Sequence, residues 1–172
     1  MESKVKLFGH PLHQMLVVFP VGLLIGSLIF DIIRLAADSP TAAVVAHSLI
    51  GAGVLAGLVA APWGAIDWFS LPAHTRARRV GSVHGLGNVL VLVLFGLSWT
   101  LRGGLVEQPP AMALILSFGG VGVLLVTAWL GGELVDRLGV GVSPHAHVDA
   151  RSSLEGPALP GGGAAEARTN LP

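Results

Sequence analysis

Seven histidines and no cysteine define the chemistry open to this chain of 172 residues. Without thiols it has no disulfide, no thiolate nucleophile and no thiolate metal site. Imidazole, by contrast, is the commonest metal ligand and a recognised axial ligand of haem iron. His10 and His13 stand in GHPLHQM, His47 in AAVVAHSLI and His84 in GSVHGLGN. Asp31, Arg34, Asp67, Arg102 and Glu133, with the amide of Asn88, complete the polar set inside or beside long apolar stretches. An ionisable group at such a place is costly to bury, so each needs a partner or a task.

Spacing groups some of them. Residues eighteen apart on a helix lie five turns apart on one face. His13 and Asp31 are such a pair, with Pro20, Leu24 and Ser27 near the same line, and His84 and Arg102 are another, with Asn88 and Ser98 one turn inside the ends. Two helices therefore carry a polar edge that should face a partner helix. His47 and Asp67 are twenty apart and point to opposite sides of a straight helix, unless Pro62 bends it. Pro11 suits a first helical position, which places His10 at the cap and His13 in the first turn.

The elements that must hold these groups follow from composition. With 52% hydrophobic and 12% charged residues and a mean hydropathy of +0.74, the chain cannot make an ordinary water-facing surface. Four apolar stretches run from about residues 12 to 35, 42 to 68, 83 to 101 and 111 to 134. Each approaches the roughly 20 residues that cross a hydrocarbon core about 30 Å thick. In lipid the backbone must satisfy its own polar groups, so the expected fold is all-α, a four-helix transmembrane bundle. The basic start MESKVK also suits a secretory signal, but the first apolar run exceeds the roughly 7 to 15 residues of a signal core and three more spans follow. The bundle occupies residues 7–142, and residues 143–172, ending in PGGGAAEARTNLP, read as a disordered tail.

Gly22 and Gly26, Gly53 and Gly57, and Gly119 and Gly122 offer close helix approaches, while Pro20 and Pro62 predict kinks. Trp68, Trp99 and Trp129 fall near helix ends as interfacial anchors, and Trp63 inside the bundle. Lys4, Lys6, Arg76, Arg78, Arg79, Arg137, Arg151 and Arg168 fall on one side of such a bundle and only Arg34 and Arg102 on the other, which places both termini in the cytoplasm. The balanced net charge argues against nucleic-acid binding. Hydrolase chemistry has no support: Ser70 and Ser82 near His74 lie in no nucleophile motif, and no nucleotide loop is present, so the chain reads as a non-enzyme. His145 and His147 in SPHAHVD read as solvated tail residues.

Three functions fit these residues. The first is a b-type haem electron-transfer subunit, with His13 and His84 as facing ligands, His10 as substitute and His47 at a separate site. The second is a divalent-metal binding or transport protein, in which His10, His13, Asp67, His84 and Glu133 form a nitrogen and oxygen site suited to zinc, iron or manganese. The third is a structural subunit whose polar groups pair internally, Asp31 with Arg34 or Arg102. Beyond the lipid bilayer, the first reading implies a redox or membrane-protein partner.

HPLHQMLVVFPVGLLIGSLIFD, GAIDW followed by a basic loop and VGSVHGLGN, and TAWLGGELV before GVGV resemble domain-of-unknown-function family 2231, predicted bacterial membrane proteins. The resemblance spans about residues 7 to 142 and implies a multi-pass protein of the bacterial inner membrane. It sets His10, His13, Asp31, Asp67, His84, Asn88 and Glu133 on the family's polar positions. Leu138 stands where many members carry a histidine before GVGV, which weakens any ligand set needing one there. Some members are joined to iron-sulfur domains, which implies redox work.

Overall fold

The apolar stretches fold as helices because nothing else in them can satisfy the backbone, and polar residues mark where they stop. The computed structural model describes residues 1–103 and 106–155. A two-residue hairpin comes first, β1 (Lys6–Leu7) against β2 (His10–Pro11). Its turn residues Phe8 and Gly9 both have positive φ, 50° and 84°, the conformation that a tight two-residue turn demands. Helix α1 (Leu12–Leu16) and helix α2 (Val18–Ala37) form one span, interrupted at Val17. Pro20 explains the break: it has no N–H to give the Leu16 carbonyl one turn earlier, and its ring crowds that carbonyl.

Helix α3 (Pro40–Phe69) starts on a Ser39 cap that accepts from the Ala42 amide at 3.3 Å, with Pro40 at its first position. It continues through Pro62, whose exposed ring faces outward. Helix α4 (Arg76–Arg102) is capped by Thr75, which accepts from the Arg78 amide at 3.2 Å. It thus begins at Arg76 rather than Val83, and the arginines expected in a loop form its first turn. Helix α5 (Ala111–Gly132) follows Pro109 and Pro110 and runs into one π-helical turn, Glu133–Arg137. Gly139 and Gly141, at φ 62° and 80°, end it. Of the tail expected from residue 143 onward, 156–172 lie outside the described residues.

All four spans are long and apolar enough to cross a membrane. Helix α2 packs on α3, α4 on α5, α3 on α4, and α2 on α5, so the helices form a ring with α2 diagonal to α4. Leu24, Ile50, Val91, Phe95, Val121 and Leu124 fill its centre. Large apolar side chains such as Phe19, Leu55, Leu86 and Leu125 face outward, as a lipid-facing surface requires.

Of the glycines expected at close approaches, Gly53 and Gly57 are buried, and a Cβ at Gly53 would lie 2.6 Å from Leu24 Cδ2. Gly22, Gly119 and Gly122 face open space instead. In α5 the close contact belongs to Gly120, where a Cβ would meet the Phe95 ring at 2.8 Å. Adjacent glycines leave the contacting one undecided until the helix phase is known.

Candidate functional site

The α2 edge is the buried face of that helix: Pro20, Leu24, Ser27 and Asp31 are its buried residues. On α4 the corresponding face holds Val91, Phe95, Ser98 and Arg102, with His84 and Asn88 half-buried further along. These two faces look at each other across the ring and make two polar layers.

At the end of the bundle away from the termini, Arg102 donates from both terminal nitrogens to the two Asp31 carboxylate oxygens, each at 2.7 Å. Both side chains are 0% exposed. The guanidinium also donates to Ser117 Oγ at 3.0 Å and to Ser98 Oγ at 3.3 Å, and the two hydroxyls share a bond of 2.8 Å. A bidentate pair with its spare protons used is the form in which buried opposite charges are tolerated. Arg34 takes no part, pairing with the exposed Asp38 and donating to the Glu107 carbonyl. His47 lies on another face of α3, stacked on Trp99 with ring centroids 5.1 Å apart, and its buried Nδ1 has no hydrogen-bond partner among the described residues.

At the opposite end stand the two histidines given first place by the sequence. His13 Nδ1 lies 3.0 Å from the Ala60 carbonyl of α3, and His84 Nδ1 lies 2.9 Å from the Thr127 carbonyl of α5. A ring nitrogen facing a carbonyl must carry the hydrogen, which leaves Nε2 as the basic atom in each. Each ring also packs on a glycine one turn beyond its carbonyl. A Cβ at Gly64 would come 2.9 Å from His13 Nε2, and one at Gly131 would come 3.2 Å from His84 Cε1. His84 Nε2 accepts from Asn88 Nδ2 at 3.0 Å, whereas His13 Nε2 has no such donor. The two imidazoles are near enough for charge on one to act on the other.

The remaining candidates are committed elsewhere. His10 belongs to β2, not to the helix cap, because the Phe8–Gly9 turn folds it back into the hairpin; it is exposed, with Nε2 3.3 Å from Ser153 Oγ. Asp67 accepts from Ser3 Oγ at 2.8 and 2.7 Å and from the Lys4 amide at 2.9 Å, so it fastens the N-terminal segment to α3. Glu133 pairs with Arg76 at 2.6 Å, joining the π-helical turn to α4. Among the described residues no three His, Asp or Glu side chains gather to hold a metal ion. The five-residue nitrogen and oxygen site expected from the sequence is therefore not assembled. The sequence reading missed Ala60, Gly64, Thr127 and Gly131, which mount the histidines; the repeated four-residue step from carbonyl to glycine was the available signal.

A family model described as a predicted membrane protein (DUF2231) matches residues 9–144. No curated protein matches the chain. No solved structure matches it either.

Proposed function

Because the chain belongs to the DUF2231 family of predicted membrane proteins, we propose that its four-helix bundle is a membrane-embedded haem b carrier for electron transfer. Its ligands are His13 and His84. The observation behind this reading is the common mount of the two imidazoles, each tied through Nδ1 to a backbone carbonyl of the neighbouring helix. Protein-bound metals typically take histidines held in this way, since the Nδ1 bond fixes the ring and raises the basicity of Nε2. The donor set favours haem over a bare divalent ion. A porphyrin brings four nitrogens and asks the protein for two axial ligands, whereas zinc or manganese needs a third and fourth side chain that the described residues do not gather. Gly64 and Gly131 leave beside the rings the room that a Cβ would fill.

When bound, haem supplies one-electron chemistry; the chain supplies orientation, an apolar surround and a site between helices. Asp31 and Arg102 close the other end of the bundle. The distribution of basic residues supports a bacterial inner-membrane protein with both termini, and so the histidine end, in the cytoplasm. A redox partner would then approach from that side.

The test is the visible spectrum of detergent-purified protein from haem-replete cells, oxidised and dithionite-reduced, beside His13→Ala and His84→Ala. A Soret band in the parent that is lost or strongly altered in the variants, with their helical circular dichroism intact, is the expected result. A colourless parent sinks the proposal.

A further inference from the structure

The two halves of the chain repeat each other. The buried residues of α2, namely Pro20, Leu24, Ser27 and Asp31, correspond at a constant offset of 71 to Val91, Phe95, Ser98 and Arg102, buried on α4. The same offset carries His13 onto His84. At an offset of 67, Ala46, Ile50, Gly53, Gly57 and Ala60 of α3 fall on Ala113, Ser117, Gly120, Leu124 and Thr127, again all buried. The offsets differ by four, about one helical turn, which preserves the facing of both helices. Contacts repeat as well as burial. Gly53 packs on Leu24 as Gly120 packs on Phe95, and His13 sits on Ala60 and Gly64 as His84 sits on Thr127 and Gly131. Eight positions in the α3 and α5 alignment are identical, Gly64 with Gly131 among them. The ring order of the helices is what a two-fold relation between two hairpins requires.

Against that symmetry, one difference stands beside the histidines. Asn88 donates to His84 Nε2 at 3.0 Å, and the corresponding residue in the first half is Val17, which has no side-chain donor. We infer that the two imidazoles are unequal: His13 is the permanent ligand, and Asn88 competes with iron for His84, leaving that axial position open to a small diatomic ligand. This rests on the haem reading above. Asn88 is a positioning residue here, because it acts only through His84. Iron and the amide cannot both use the Nε2 lone pair, so the fraction of His84 bound to iron depends on the strength of one hydrogen bond. Such a bond is worth about 1 kcal/mol, roughly a fivefold bias. Replacing Asn88 by valine copies the first half and removes the competitor.

Carbon monoxide binding to the dithionite-reduced protein reads this directly. The parent should bind carbon monoxide, and Asn88→Val should bind it roughly fivefold more weakly, with a spectrum shifted toward six-coordinate low-spin haem. His84→Ala should keep haem and bind carbon monoxide at least as well as the parent, while His13→Ala should lose haem. Helical circular dichroism and detergent gel filtration establish that each variant is folded. Asn88→Leu, also without a donor, must behave as Asn88→Val does. Equal carbon monoxide affinity in the parent and both Asn88 variants overturns the inference while leaving the haem reading intact. A parent without haem overturns both.

Discussion

Arg102 is the largest side chain fully buried in the bundle, and its cost is met by one neighbour. The Asp31 carboxylate takes both terminal guanidinium nitrogens, and two serine hydroxyls take further protons. Removing either partner leaves a charge with no counter-ion in a low-dielectric interior, a loss of about 3 to 5 kcal/mol in buried pairs. Arg102→Ala and Asp31→Ala should each sharply lower the midpoint of thermal unfolding in detergent. Replacing both charges by apolar groups of similar size, Asp31→Leu with Arg102→Met, should recover most of the loss, because the penalty comes from the orphaned charge. Asp38→Ala is the control. Its pair with Arg34 leaves the Asp38 side chain 93% exposed, so it is expected to change stability by about 0 to 1 kcal/mol. A double variant no more stable than the singles would show that Asp31 and Arg102 matter for something besides each other.

At the scale of elements, glycine decides how near the helices come. Gly53 and Gly22 lie in neighbouring helices of similar hydropathy, yet a Cβ at Gly53 enters Leu24 at 2.6 Å while one at Gly22 meets nothing within 4 Å. Gly53→Ala should therefore cost about 1 to 3 kcal/mol, the usual penalty of forcing extra volume into a packed interior. Gly22→Ala should be neutral or slightly stabilising, because alanine is the better helix former. Gly120→Ala repeats the Gly53 case against Phe95. Comparable unfolding midpoints for Gly53→Ala and Gly22→Ala would mean that α2 and α3 do not touch at Gly53. The sequence separated these glycines only in part: a G-x-x-x-G spacing marks Gly22 and Gly26 as readily as Gly53 and Gly57, and only helix phase tells them apart. The polar edges were easier to read, since Ser27 and Asp31 on α2 and Ser98 and Arg102 on α4 are expensive to turn toward lipid. Helix starts were hardest. Thr75 extends α4 back through the arginines, and a positive φ at Phe8, rare for a bulky residue, could not be anticipated for the hairpin that takes His10 away from the site.

For the whole molecule, hydropathy made the four spans legible but concealed the relation between the halves, because apolar residues exchange freely along a lipid-facing surface and dilute the identity. The relation survives where packing constrains it, at Ser27 with Ser98, Gly53 with Gly120 and Gly64 with Gly131. Asp31 and Arg102 occupy equivalent positions with opposite charge, so the pair joins the two hairpins across the diagonal of the ring. An exchange of the two charges is then a defined experiment. Asp31→Arg alone puts two guanidinium groups together and Arg102→Asp alone puts two carboxylates together, and both should fail to accumulate as folded protein. The exchanged double variant rebuilds the pair in a surround that is equivalent except at one place: Ser117, which accepts from Arg102, corresponds to Ile50. It should fold, with a deficit near that of one hydrogen bond to a charged group, about 1.5 to 3 kcal/mol. Adding Ile50→Ser and Ser117→Ile should reduce the deficit, since the serine then stands beside the relocated arginine. If the exchanged pair is as unstable as the single variants and the two added changes give nothing back, the halves match in backbone and burial but not in the electrostatic surround of the ion pair.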